Sequence, residues 1–437
     1  MADVAADNGR ANPAFGRATL IALVIANMLG AGVFTTSGFA LADLGTPWWV
    51  LGAWVIGGLV AIAGALSYGN LARVLPASGG EYVYLARFVH PAAGFIAGWV
   101  SMLAGFTGAI AYAAGAFAVY ALPGNSSSVR ANLVASGVIA VTAALHAAHV
   151  ASGARVQNMV VGLKLVLITV FCVYGLASGV SGGWQGLSSA TVQPFSWSVF
   201  ALTLMWISFS YSGFNAAVYI AEEVPSARQS VPVAMVVATL LTTAIYLLLN
   251  AVFVLVPPAA VVHGVPDVAT AAAGFIGGAW LANAVRLVIA IALFTSVSAM
   301  LIAGPRVYAR MAEDGMLPAV FRFGHRAPVT AILFQAGFAM AVVWLAQLRQ
   351  LLSYLGFTLA LSAAATVASL FLIARSQPAQ REELRYYPWA PLVFVVATLV
   401  FAGLAAQRNP LEMFAALLTL ATGGVAWWLT SRAQHGK

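Results

Sequence analysis

Long runs without charge, separated by short polar segments, dominate this chain. Arg17 and Asp43 are separated by 25 uncharged residues, and Asp43 and Arg73 by 29. About 20 apolar residues in a helix cross the hydrocarbon core of a bilayer, and turn formers such as Pro257-Pro258 divide the longer runs. The pattern predicts an all-α polytopic membrane protein. Twelve transmembrane helices are expected near residues 18–41, 48–74, 92–122, 131–150, 156–179, 198–222, 232–256, 279–308, 328–346, 350–374, 387–405 and 410–431.

The composition supports this class and excludes several others. Apolar residues make up 62% of the chain and charged residues only 7%, whereas soluble proteins average roughly 25% charged residues. The net charge of +8 is spread thinly and forms no patch, which argues against a nucleic-acid partner. Cys172 is the only cysteine, so neither a disulfide framework nor a cysteine-rich metal site is expected. The expected surroundings are a lipid bilayer.

The distribution of basic residues predicts the orientation. With twelve spans both termini lie on one side, and cytoplasmic segments carry the excess of Lys and Arg. Cytoplasmic termini place fifteen basic residues inside and four outside, and leave Lys164 within the fifth span. We therefore expect cytoplasmic tails at 1–17 and 432–437. Arg outnumbers Lys eighteen to two, which together with abundant Ala favours a bacterial inner membrane.

Two of the predicted spans carry glycine at mid-depth. The first contains Gly30 and Gly32, and the sixth contains Gly213 between polar residues. Glycine costs a helix roughly 1 kcal/mol relative to alanine, and irregular backbone at this depth is tolerated where it lines a cavity. Five spans separate the two sites, so the second unit is inverted relative to the first. Matched breaks of this kind indicate a transporter with inverted repeats, although glycine also allows close helix packing.

Broken helices suit a zwitterionic ligand. The amides freed at the start of a half-helix can bind a carboxylate, and freed carbonyls nearby can accept hydrogen bonds from an ammonium. The predicted spans contain no mid-span Asp, Glu or Arg, which argues against cationic and acidic substrates. The expected substrate is therefore a neutral amino acid, with a related amine as the alternative.

Four motifs occur in an order that resembles the amino acid–polyamine–organocation superfamily over nearly the whole chain. They are Gly30-Ala31-Gly32-Val33-Phe34, Ser78-Gly79-Gly80-Glu81-Tyr82, Glu222-Glu223-Val224-Pro225 and Asp314-Gly315-Met316-Leu317-Pro318. The resemblance implies two inverted five-helix repeats, 18–179 and 198–374, followed by peripheral helices over 387–431. It also implies substrate-binding positions and a gate at Phe209. The substrate-binding positions are Ala26, Gly30, Ala31, Gly32, Phe209, Ser210 and Gly213. Asn215 departs from the acidic residue of some members.

Lys164 is the sharpest single candidate. It lies nine positions beyond Arg155, a depth of roughly 13 Å in a helix, and an ionisable residue there is a functional hypothesis by default. It resembles the fifth-helix lysine of sodium-independent superfamily members, whose ammonium stands in for sodium. Its donors are expected to tie the first helix to Ser296 or Ser298. Lys164 then either couples transport to protons or remains a charged strut in an exchanger.

We therefore predict a sodium-independent, proton-coupled secondary transporter for a neutral L-amino acid. An amino acid exchanger, an amine or polyamine transporter and an ion channel remain alternatives. The sequence contains no enzyme or cofactor motif, predicts no metal site and indicates no particular partner protein. His146 and His149 are most simply interfacial, and Glu222 with Glu223 is expected to act in inner closure.

Overall fold

A computed structural model describes residues 16–122, 127–147, 154–188, 194–322 and 329–435. All regular secondary structure in these ranges is helical. The first nine α-helices are α1 Arg17–Met28, α2 Ala31–Leu44, α3 Pro47–Val74, α4 Glu81–Phe88, α5 Pro91–Val100, α6 Ala109–Ala121, α7 Ser128–Ala147, α8 Ala154–Gly182 and α9 Gln185–Ser188. The other nine are α10 Trp197–Tyr211, α11 Ala227–Leu255, α12 Ala259–Val262, α13 Val268–Glu313, α14 Val329–Leu345, α15 Leu348–Ser376, α16 Pro378–Arg381, α17 Trp389–Ala406 and α18 Pro410–His435.

Many of these helices can cross a bilayer. Within the described ranges, eight are long and apolar enough by themselves, and a ninth candidate span, Pro91–Ala121, combines α5, α6 and the π-helical segment between them. The bent pair α1–α2 brings the number to ten. Two predicted spans are too short as α-helices for this count: α14 has 17 residues and α10 has 15. The structure therefore shows a polytopic helical protein with nine to ten candidate spans among the described residues, and the count of twelve stays a prediction.

Several helices are interrupted. α1 and α2 are bent by 41° at Leu29-Gly30, and a π-helical segment at Ser101–Gly108 separates α5 from α6. The sixth span, predicted over 198–222 with an interruption around Gly213, is interrupted there: α10 ends at Tyr211, and a 3-10 segment follows at Ala216–Glu223. α13 contains a kink at Gly277-Gly278. The eighth span predicted at 279–308 begins directly after this kink and continues to Glu313.

A buried aromatic cluster holds α3, α10 and α11 together next to the two breaks. Trp54, Tyr211 and Tyr246 are each at most 1% exposed, and the Tyr246 ring lies 5.1 Å from that of Trp54 and 5.0 Å from that of Tyr211. Trp54 Nε1 donates to Ser37 Oγ of α2 at 3.0 Å. Aromatic pairs at these distances contribute about 0.5–1.5 kcal/mol beyond their buried area. The cluster thus fixes the positions of the helices that carry the breaks.

Asn70 of α3 provides a test of the fold away from the cavity. Its side chain is 1% exposed, donates to Arg385 O at 2.9 Å and accepts from Arg385 N at 3.0 Å. We expect Asn70→Ala to lower the free energy of unfolding by about 2 kcal/mol, because it leaves two backbone groups unpaired. A thermal melt in detergent measures this. The exposed Asn283→Ala is the control, and equal melting temperatures would contradict the prediction.

Candidate functional site

The first break frees backbone groups from the helical ladder. Gly30 N–H donates to Met28 O at 2.6 Å, in a tight turn around Leu29, rather than to Ala26 O as in a continuous helix. α2 then begins at Ala31 without a side-chain cap. The first-turn amides of α2 have no acceptor within the helix, and the Ala26 carbonyl has lost its helical donor. The free amide donors of α2 and the free carbonyl acceptor of Ala26 therefore lie at the same break.

The second break lies directly after α10. Phe214 N–H donates to Tyr211 O at 3.2 Å, so the Ser210 carbonyl loses its helical donor. Gly213 has a φ of +134°, which L side chains rarely adopt. A Cβ on Gly213 would lie 2.8 Å from the carbonyl carbon of Asn27. Glycine is required here by both the backbone conformation and the close approach of α1.

The two breaks are packed against each other. A Cβ on Gly32 would lie 2.8 Å from Ser210 Cα, and Thr36 Oγ1 lies 3.4 Å from Ser210 Oγ. By contrast, a Cβ on Gly30 would meet only Met28 O, at 3.8 Å. Gly32 therefore has the packing function that was the alternative interpretation of these glycines, and Gly30 has open space beside it.

Two buried side chains bind the freed carbonyls. Lys164 Nζ donates to Leu29 O, and its side chain is 7% exposed. The hydroxyl of Tyr246 lies 2.9 Å from Ser210 O and also contacts Met28 O, so its single proton is shared between the two breaks. Sequence reasoning missed Tyr246, because a tyrosine within an apolar helix has no local feature that marks it.

The other predicted coupling residues make different contacts from those expected. Ser298 Oγ lies 2.7 Å from His146 Nε2, and Ser296 Oγ donates to Ala292 O at 3.0 Å. Their hydrogen bonds therefore do not join Lys164. His146 is half-buried next to Ser298, rather than purely interfacial. His149 lies outside the described residues.

A cavity of about 1160 Å³ connects these features. All ten predicted substrate-binding and coupling residues lie in its wall, although their roles remain predictions. From the breaks the wall extends to polar residues at one end of the bundle. These residues are Ser78, Glu222, Glu223, Arg306, Arg310 and Glu313. The cavity thus extends to the end of the bundle at which Arg306 and Arg310 lie.

Aromatic and charged contacts close the opposite end. The ring of Phe209 lies 5.1 Å from that of Tyr112 in an edge-to-face arrangement. Beyond it, the Arg349 guanidinium lies 5.0 Å from the Trp206 ring and 5.7 Å from the Phe39 ring. Arg349 also forms an ion pair with Asp43 at the end of α2. These contacts join α2, α10 and α15.

The fold and the site define a class of protein. Two broken helices that face one cavity deep in a helical bundle are the arrangement of a membrane transporter. The amino acid permease family matches residues 15–422, and the chain belongs to this family. The resemblance to the amino acid–polyamine–organocation superfamily is thereby confirmed. The members of this family are transporters.

Similar proteins cover most of the chain. The human Asc-type amino acid transporter 1 is 25% identical over 94% of this chain and 82% of its own length. The human cystine/glutamate transporter is 24% identical over 94% of this chain and 83% of its own length. The human large neutral amino acids transporter small subunit 2 is 23% identical over 96% of this chain and 81% of its own length. Each of these relatives is an amino acid transporter.

Gly30→Ala tests whether the freed amides of α2 bind the ligand. The methyl group fits the protein without a clash but occupies space next to these amides. We expect a roughly tenfold rise in the Kd for alanine, which corresponds to about 1.4 kcal/mol, measured by scintillation proximity binding. Gly137→Ala, at an exposed position of α7 with open space around it, is the control. Unchanged binding by Gly30→Ala would mean that the amides do not meet the substrate.

Phe209→Ala tests the gate. The substitution removes the contact with Tyr112 at the closed end of the cavity, and a gate acts on the conformational step rather than on binding. We expect the maximal uptake rate in proteoliposomes to fall about tenfold while the Kd changes less than about threefold. Equal losses in rate and binding would instead make Phe209 a simple wall of the pocket.

Proposed function

We propose that this protein is a secondary active transporter that moves a neutral L-amino acid by alternating access. The observation that carries the proposal is the pairing of freed α2 amides with the freed Ala26 carbonyl at one cavity. An amino acid presents a carboxylate and an ammonium on the same carbon, so it matches both groups. Neither 25–32 nor 209–215 contains a charged residue, which favours a neutral side chain over an acidic or basic one.

Sodium independence is supported by the contact of Lys164. Its ammonium donates to Leu29 O at the first break, so a cation of the protein itself already occupies a carbonyl that a metal ion would otherwise use. Two transport modes are compatible with this contact. Lys164 either exchanges a proton during the cycle, which gives symport, or stays charged, which gives amino acid exchange. We favour proton-coupled uptake and keep exchange as the alternative.

The proposed architecture has twelve spans. α10 and the 3-10 segment that follows it would form one interrupted span that ends at Glu223. α14 is apolar over its 17 residues, so these two would bring ten spans to twelve. The breaks after α1 and after α10 support two inverted five-helix units, 18–179 and 198–374, with 387–431 outside them. Because the cavity extends to Arg306 and Arg310, cytoplasmic termini would make this an inward-open state in a bacterial inner membrane.

The relatives' names differ in the substrates they state and raise the question of a partner. Large neutral amino acids appear in one name, whereas another names cystine and glutamate. One is named a small subunit, which suggests assembly with another chain. In this protein the only cysteine is Cys172, and its side chain is 3% exposed in α8. A disulfide to a partner would have to use this buried thiol. We therefore propose that the chain transports without a disulfide-linked subunit.

Uptake by purified protein in proteoliposomes tests the function. Labelled alanine, serine and leucine should enter saturably, and replacing sodium with choline should not change the rate. Unsaturable ion current would favour a channel, and uptake of a polyamine but none of the three amino acids would favour the amine alternative. Either result would contradict the proposal.

Lys164→Ala separates the transport modes. For symport, an inward proton gradient should drive accumulation in the wild type, and Lys164→Ala should abolish this effect. Lys437→Ala, which removes the only other lysine, is the control. Accumulation that ignores the gradient but requires amino acid inside the vesicles would establish exchange. Normal transport by Lys164→Ala would contradict both roles.

A further inference from the structure

Glu81 is a buried carboxyl group that lies apart from the freed carbonyls and amides. It is the first residue of α4, and its side chain is 7% exposed. Its oxygens accept three hydrogen bonds from neutral groups: Tyr68 OH at 2.9 Å, Asn215 Nδ2 at 2.7 Å and Tyr219 OH. It takes part in none of the three ion pairs among the described residues. Its contacts are therefore directional hydrogen bonds.

The three donors connect α4 to the second break. Tyr68 belongs to α3, which packs against α10, whereas Asn215 and Tyr219 follow the end of α10. From Ser212 to Val218 the described backbone hydrogen bonds span three residues rather than four. Such turns are weaker than an α-helical ladder. The segment after α10 therefore depends on side-chain contacts for its position.

The motif around Glu81 is shaped for this contact. Gly80 has a φ of +61°, and a Cβ there would lie 2.7 Å from Cζ of Tyr219. Ser78 Oγ accepts from Glu222 N at 3.0 Å, which adds a second link to the same segment.

The neighbouring residue Tyr82 makes a contact with a different element. Its hydroxyl donates at 2.6 Å to Oδ2 of Asp314, the residue that follows the end of α13. Burial, together with this hydrogen bond, raises the pKa of Tyr82, so its hydroxyl remains a donor. Through Glu81 and Tyr82, two neighbouring residues, α4 is joined to both the sixth and the eighth predicted spans.

We propose that Glu81 is a positioning residue for the amino acid site. It holds Asn215 and Tyr219, and thereby keeps the turn at Gly213 against Asn27 of α1. It acts through the backbone of the second break and does not contact the substrate. This inference rests on the proposed function, because it assigns to Glu81 the geometry of the site in which the amino acid would bind.

Glu81→Gln is the first test. It keeps the size of the side chain but replaces one acceptor oxygen with an NH₂ group, so the three donors can no longer all be accepted. We expect the Kd for alanine to rise about tenfold, while the elution profile and the fraction of active protein stay as in the wild type. Glu383→Gln is the control, because Glu383 is exposed and lies outside the cavity wall. It should bind like the wild type.

A double-mutant cycle distinguishes positioning from general stabilisation. Tyr68→Phe removes one donor to Glu81 and lies outside the cavity wall. If both residues act through one contact, their effects on the Kd are non-additive, whereas independent losses of stability lower the melting temperature and leave the Kd unchanged. An unchanged Kd in folded Glu81→Gln, or additive effects, would overturn the inference.

Two further outcomes complete the test. If Glu81→Gln is not recovered in folded form, Tyr219→Phe carries the test: a Kd raised about threefold would support the inference, and an unchanged Kd would overturn it. Failure of the wild type to bind any neutral amino acid would instead overturn the proposed function. Binding by the wild type with equal binding by Glu81→Gln would overturn the role of Glu81 alone.

Discussion

Every backbone carbonyl and amide freed at membrane depth must find a partner, because the hydrocarbon offers none. In this protein the freed carbonyls of Leu29 and Ser210 are bound by Lys164 and Tyr246. The first-turn amides of α2 are left without an acceptor in the helix. The Leu29 and Ser210 carbonyls are thus bound within the protein, whereas the first-turn amides of α2 and the Ala26 carbonyl are left for a ligand. Under our proposal, the carboxylate and the ammonium of the substrate bind these remaining groups.

The contacts around the breaks differ in how readily they can be reversed. The Arg349–Asp43 pair is partly exposed, with side chains 45% and 22% accessible, and such pairs contribute only about 0–1 kcal/mol. The cation–π contacts of Arg349 add about 0.5–1 kcal/mol each. The closed end can therefore open at little cost. The contact of Lys164 is buried, and breaking it would leave the Leu29 carbonyl without a partner, so the breaks are expected to persist through the cycle.

Local sequence features could predict the spans and the approximate sites of the breaks, since charge spacing and glycine content are local properties. The partners could not be predicted in this way. Tyr246 is 218 residues from Met28, and Asn215 is 134 from Glu81, so only the fold brings them together. The glycine and polar residues around Gly213 indicated an interruption of the sixth span, but they did not indicate that the chain continues as a 3-10 segment at Ala216–Glu223. Ser298 was expected to bind Lys164, because nothing in the sequence indicated that Ser298 instead contacts His146.

An experimental structure of the protein with bound alanine, at a resolution that shows the carboxylate and ammonium, tests the account most directly. We predict that the carboxylate lies within hydrogen-bond distance of the first-turn amides of α2 and the ammonium next to the Ala26 carbonyl, with Lys164 Nζ still on Leu29 O. Alanine bound elsewhere in the cavity, or a metal ion in place of the Lys164 ammonium at Leu29 O, would contradict the account.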